Sequence, residues 1–397
     1  MNVLVSLLGK INRSSGYPTK TYRFDDGYSA RAAFLGWVLQ QRLQPDHLII
    51  IGSSTSMWDH LFEGDLDFAD RSEDLRMELM NLCENGSPVP ARLLERLAPI
   101  LGARLGCAVS LIIAPRGLDS ASQMTLFQHL AQAVNQGDRL TIDCTHGFRH
   151  MPMLLMAGAQ YLQGLGKVSV QSIYYGLMDA GADEARVCRL DSLLEIERGV
   201  RALDGFDAGG DYEPLIRLLG HLLPPSLSAA RLREAAFHER TLRIPQARKT
   251  LQEFYRFLEN VDLPFPHELL KPALLERLSW ANEPTHHRRQ LAASRIALSR
   301  RDYPRTAALL FEAWINQVVH SEKLGDPEKT DVREKARGLL DERLKTGSAP
   351  KAIDLLRRLR NATAHGARPV GADAQRLLAS EEKLNRFLVE MISALDR

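Results

Sequence analysis

Over the first 190 residues, short apolar runs alternate with longer stretches of helical pattern, and this limits the chain to few architectures. Residues 3–8, 47–51, 108–114, 139–143 and 168–175 are strand-length runs rich in Val, Ile and Leu. Residues 28–43, 91–105, 125–136 and 152–163 between them carry helical spacing. Short buried strands separated by such helices predict an α/β Rossmann-like domain, a parallel sheet with helices on both faces. Near residue 204 the texture changes. Residues 203–214 are rich in Gly and Asp and read as a linker. Beyond them strand-like runs disappear and a Leu- and Ala-rich helical pattern, broken by prolines, continues to the end. The expected organisation is an α/β domain over residues 1–203, a linker and helical connector over 204–285, and an all-α domain over 286–397.

Several function classes are excluded by what the chain lacks. Apolar residues at 45% and charged residues at 25% are ordinary globular composition, not that of a disordered or collagenous chain. Cys83, Cys107, Cys144 and Cys188 form no C-x-x-C pair, which predicts reduced thiols and no structural zinc. The apolar run at the N-terminus is too short for a signal peptide, and no stretch approaches the roughly 18 apolar residues of a membrane span. A soluble, cytoplasmic protein is expected. No G-x-G-x-x-G follows the first strand, and no P-loop, H-E-x-x-H or G-x-S-x-G is present, which disfavours dehydrogenases, NTPases, zincins and serine hydrolases. His286-His287 lacks carboxylates at ligand spacing and reads as a helix start, so no metal is expected. The net charge of +2 conceals an asymmetry: residues 286–365 hold 17 Lys/Arg against 10 Asp/Glu, a surplus of +7, leaving −5 elsewhere. Such a surplus fits a polyanion partner, and equally fits ordinary solvated helices.

In a parallel α/β sheet ligands bind beyond the carboxyl ends of the strands. Gly9 and Lys10, with Asn12, Arg13, Ser14 and Ser15, follow the first run. Gly52, Ser53, Ser54, Thr55 and Ser56 follow the second, and Asp143-Cys144-Thr145-His146-Gly147-Phe148-Arg149-His150 follows the fourth. Small residues, hydroxyls and bases suit a phosphate, bound by exposed N–H groups with Lys10 and Arg149 as countercharges. Serine- and glycine-rich turns also serve simply to cap the next helix, and for Gly52–Ser56 taken alone that reading stays open.

A second candidate lies near the C-terminus. Residues 350–365 read as an amphipathic helix with Ile353, Leu356 and Leu359 on its apolar side and Gly366 as its stop. Asn361 and His365 are four apart and share a face, with Arg360 adjoining. A histidine, a permanent cation and an amide can cleave RNA without metal: the base activates the 2′-hydroxyl and the arginine stabilises the phosphorane. Arg-x4-His also occurs as Arg42…His47, interrupted by Pro45, and as Arg233…His238, without the amide.

Arg360-Asn361-x-x-x-His365 resembles the R-x4–6-H motif of HEPN ribonucleases. The stretch around Tyr303, Phe311, Glu312 and Trp314 resembles an early helical segment of that fold. Asp143-x-Thr145-His146-Gly147 resembles the signature of CRISPR-associated Rossmann-fold (CARF) sensors. The whole resembles a CARF–HEPN ribonuclease of type III CRISPR defence, in the Csx group. The resemblance implies a homodimer, open to higher assembly. A cyclic oligoadenylate, cyclic tetra-adenylate before hexa-adenylate, would bind across paired CARF domains as an allosteric activator, with no other cofactor. A composite HEPN site would cut single-stranded RNA, leaving a 2′,3′-cyclic phosphate. It implies catalytic Arg360, Asn361 and His365, and an activator pocket drawn from Gly9, Lys10, Ser53, Ser54, Thr55, Thr145, His146, Gly147 and Arg149. A CARF ring nuclease that degrades its own activator, and a non-catalytic nucleotide-sensing regulator, are the alternatives.

Overall fold

Each of the five apolar runs is a strand in the computed structural model, which describes residues 1–10, 18–62, 72–178, 182–366 and 371–396. The strands in chain order are β1 (Asn2–Leu8), β2 (Lys20–Phe24), β3 (Ser29–Ala32), β4 (His47–Gly52), β5 (Ala108–Ile113), β6 (Asp138–Asp143), β7 (Val168–Met178) and β8 (Glu184–Arg189). They form one sheet in the order β3-β2-β8-β7-β6-β1-β4-β5. The five strands from β7 to β5 are parallel, as the apolar runs predict. The sheet as a whole is mixed, which corrects the parallel expectation. β8 runs antiparallel to β7, β2 lies parallel to β8, and β3 turns back on β2.

Side chains alternate across a strand, so one run feeds two cores. Leu4, Leu8, Leu48 and Ile50 face α1 (Leu35–Leu43), α2 (Glu73–Glu84) and α3 (Ala91–Leu105). Val3, Val5, Leu7, Ile49, Ile51, Leu140 and Ile142 face α4 (Ser120–Ala133) and α5 (Met151–Gly164). Both faces are covered, which is why the central strands are apolar throughout rather than alternating.

Two expectations change. Residues 28–43 are not one helix. Phe24 N–H donates to Tyr28 O at 2.9 Å to close a hairpin, β3 follows, and the helix starts only at Leu35. Residues 203–209, expected as linker, belong to the helix α6 (Ser192–Gly209). Ala202 and Phe206 are fully buried, and Phe206 meets Tyr212 edge to face at 4.8 Å, so packing outweighs the weak helix propensity of Gly and Asp.

The chain divides into two units, Met1–Leu194 and Glu195–Arg397. Among its described residues the second is wholly helical beyond α6: α7 (Glu213–Leu219), α8 (Ala229–Arg240), α9 (Ile244–Asn260), α10 (Lys271–Leu278), α11 (His286–Ser299), α12 (Tyr303–Ser321), α13 (Thr330–Thr346), α14 (Ala352–His365), α15 (Ala372–Leu378) and α16 (Glu381–Asp396). It has two apolar clusters, one drawn from Ala202 to Leu309 and one from Leu291 to Leu395. In the first, the buried Glu239 carboxylate accepts from Tyr212 Oη at 2.8 Å and Trp280 Nε1 at 3.2 Å and lies 3.9 Å from Arg305 Nη2. No helix among the described residues is long and apolar enough to cross a membrane.

Candidate functional site

Strand order switches at β1, which lies between β6 and β4, and the loops leaving these three strands are tied to one another. Ser56 Oγ donates to Leu8 O at 2.9 Å and Met57 N–H donates to Gly9 O at 3.0 Å, joining the loops after β1 and β4. The loops after β1 and β6 touch through backbone: a Cβ placed on Gly9 would lie 2.9 Å from Gly147 N. Asn12, Arg13, Ser14 and Ser15, expected in the first loop, lie outside the described residues.

The loop after β6 is shaped by a buried carboxylate. Asp143 accepts from Ser6 Oγ at 2.6 Å and from its own loop at Thr145 N–H, 3.0 Å. Thr145 Oγ1 in turn accepts from Gly176 N–H of β7 at 2.8 Å. Both ends of the turn are thereby pinned, and Gly147, exposed at φ +94°, occupies the left-handed region that glycine adopts without strain.

The expected pocket residues fall into two groups. Lys10, Gly147 and Arg149 are exposed, and Gly9, Ser54, Thr55 and Thr145 are half-buried, open to an incoming group. Ser53 and His146 are buried. Ser53 N–H donates to Ser56 Oγ at 2.8 Å and its carbonyl accepts from Trp58 Nε1 at 2.8 Å, so this serine builds the turn. The turn leads into a short 3₁₀ segment, Trp58–Phe62, rather than an α-helix. His146 Nε2 accepts from Leu35 N–H at the start of α1, 3.4 Å away, with Phe34 at 5.4 Å between ring centroids. Burial lowers its pKa, opposed by Asp143, so the imidazole is neutral and faces α1.

Two residues absent from the expected set hold these loops: Ser6 and Ser56. Ser6 carried a signal, being the one hydroxyl in an apolar strand. Ser56 carried none beyond its loop.

In the second unit, α14 presents the other candidate. Ile353, Leu356 and Leu359 are fully buried, and Gly366 N–H closes the helix on Ala362 O at 2.9 Å. Arg360 is half-buried: its Nη2 lies 3.7 Å from Glu312 Oε1, and its guanidinium lies 5.8 Å from the Phe311 ring centroid. Glu312 also receives Arg333, and Arg337 at 3.5 Å, so one carboxylate gathers three guanidinium groups. A cavity of about 150 Å³ is lined by Phe311, Arg337, Arg360 and Asn361. The Asn361 amide does not turn toward His365; its Oδ1 accepts from Arg360 Nη1 at 3.1 Å. His365 is exposed on the last turn. Five residues of helix place Arg360 and His365 about 140° apart around the axis. Among the described residues no three His, Cys, Asp or Glu side chains gather as a metal-ligand set.

Residues 3–177, most of the first unit, match the family model for the CARF domain of the CRISPR system endoribonuclease Csx1. Over that stretch the first unit is similar to the Csx1 CARF domain. A CRISPR-associated protein of Methanocaldococcus jannaschii, MJ1674, is 26% identical over 246 residues, covering 55% of this chain and 38% of that protein. The chain thus matches less than half the length of this relative. The structure of Enterococcus italicus Csm6 bound to cyclic hexa-2′-fluoro-hexa-dAMP aligns over 100% of this chain and 94% of that one, at 12% identity and a TM-score of 0.36.

Proposed function

We propose that the chain is a cyclic oligoadenylate-activated, metal-independent endoribonuclease of CRISPR defence. The observation that carries this reading is Arg360, seated over Phe311 beside a cavity in a unit joined to a Csx1-type CARF domain. The activator, cyclic tetra-adenylate before hexa-adenylate, meets the loops of β1, β4 and β6 in two copies of the chain, since a ring of repeated phosphates suits a site doubled by symmetry. Backbone N–H groups near Gly147, the hydroxyls of Ser54 and Thr55, and the charges of Lys10 and Arg149 supply its ligands.

At the helical site His365 takes the proton of an RNA 2′-hydroxyl. The oxygen attacks the adjacent phosphorus, the P–O5′ bond breaks, and the leaving 5′-oxygen takes back the proton His365 removed, giving a 2′,3′-cyclic phosphate and a 5′-hydroxyl. Arg360 stabilises the charge on the phosphorane, and Asn361 holds its guanidinium. Because Arg360 and His365 point to different sides of one helix, two copies of α14 are required to surround a phosphate. Activation follows if the ligand prefers the arrangement that brings the two helices together.

The test is cleavage of fluorogenic single-stranded RNA in EDTA, with and without cyclic tetra-adenylate. Cleavage only with activator is expected. Failure with cyclic tri-, tetra- and hexa-adenylate alike overturns the reading in favour of a non-catalytic sensor.

A further inference from the structure

Beside the cavity at Arg360 lies a larger groove. A second hollow of about 570 Å³ between α13, α14 and α15 is bordered by three of the same residues, Asp341, Leu344 and Arg357, so the two are neighbours along α14. Its lining includes Lys345 and Lys351. The other charged residues there are paired: Arg357 with Asp354 and, at 3.0 Å, with Asp341, Arg358 with Asp354 at 2.5 Å, and Asp373 with Arg376 outside the groove at 3.4 Å. Among the described residues neither lysine has a carboxylate within ion-pair distance. Lys351 also stands at the N-cap of α14, where the helix dipole favours acids and opposes a cation. A stability argument explains the arginines and leaves Lys351 unexplained.

Resting on the ribonuclease reading, we propose that this groove seats the RNA strand beside the cut, with Lys345 and Lys351 holding phosphates remote from the one that reacts. Lys351 is nine residues from Arg360, about 14 Å along the helix, a span no single phosphate bridges. Lysines suit this role because they meet phosphate as point charges, giving affinity without fixing sequence. The Arg360 cavity then performs the chemistry while the groove keeps the strand in register.

The experiment uses full-length His365→Ala protein, which retains the groove, binding a fluorescent single-stranded RNA in a salt titration. It is run with cyclic tetra-adenylate and, separately, with cyclic hexa-adenylate. Each phosphate contact on a single strand contributes about 0.7 to the slope of log K against log salt. Adding Lys345→Ala and Lys351→Ala should reduce that slope by about 1.4, and Lys345→Arg with Lys351→Arg should restore it. An unchanged slope, from a protein whose parent cleaves RNA, overturns the groove alone. If the parent neither binds nor cleaves single-stranded RNA, the ribonuclease reading fails and the groove with it.

Discussion

Replacing Gly9 with alanine tests whether the strand-end loops work as one site. The added Cβ lies 2.9 Å from Gly147 N, 3.5 Å from Gly147 Cα and 3.7 Å from His146 Cβ. Ordinary contact begins at 3.4 Å, so backbone must yield by about 0.5 Å. The loop after β6 cannot yield freely, being pinned through Asp143 to Ser6 and through Thr145 to Gly176. Overpacking of this kind costs about 1–3 kcal/mol. For a unit of this size about 2 kcal/mol lowers Tm by roughly 4–8 °C. Calorimetric titration with cyclic tetra-adenylate should show affinity reduced at least about tenfold, 1.4 kcal/mol. Gly338→Ala is the control: nothing lies within 4 Å of its methyl inside α13, and helix propensity favours alanine by up to about 1 kcal/mol. If Gly9→Ala melts within a degree of the parent and binds with unchanged affinity, the loops are not in contact as described.

Other outcomes follow from the two units. His365→Ala should abolish RNA cleavage and leave activator affinity unchanged in calorimetry; retained cleavage removes His365 from the reaction. The same variant, incubated with cyclic oligoadenylate and followed by chromatography, isolates any ring cleavage by the first unit. His286 and His287 are each held down to about 4, His286 by burial and then by Arg289 and Arg333, His287 by burial and then by His320 and Arg288. Such groups bind protons more readily unfolded, so their contribution is complete above the ordinary value of 6.5 and is lost as pH falls toward 4. Melting temperature should therefore fall across that window, and less steeply in His287→Gln; parallel profiles would refute the assignment. Cys83 and Cys144 are pushed up to about 12, by burial foremost and then by Asp59 and Asp143 respectively. Mass spectrometry after iodoacetamide at pH 8 should find both unmodified in the folded protein, and labelling within minutes would contradict their raised values.

The parallel strands were legible because a strand covered on both faces is apolar at every position. β2, β3 and β8 were not, since they lie toward the edge and carry charges that answer one another across strands and turns. Arg23 pairs with Glu184, Arg31 with Asp183 at 2.8 Å and Arg186 with Asp25 at 3.0 Å. Residues 29–32 read instead as the start of a helix, and β2 and β8 carry no apolar run; only the sheet supplies their partners. α6 was hidden for a related reason, because the cluster that buries Phe206 draws mostly on helices farther along the chain, out to Leu309. The loops of the candidate site could be located from strand ends, but not the direction of their side chains. A histidine beside a glycine gives no sign that its ring accepts from Leu35 N–H rather than meeting solvent. The ion pairing of Arg360 with Glu312 joins residues 48 positions apart and was likewise invisible, although both residues stood in the stretches singled out.

Residues 9, 52–56 and 143–149 become neighbours only once β1, β4 and β6 are in register. An unfolded or half-folded chain holds no part of such a site in usable form. A ligand seated there therefore binds the native state alone and stabilises it by about 2.7 kcal/mol at a hundredfold excess over Kd. Cellular proteases act mainly on opened chains, so the same occupancy would lengthen the protein's life. Abundance would then rise while such a ligand is present and decline as it is lost, with no change in transcription.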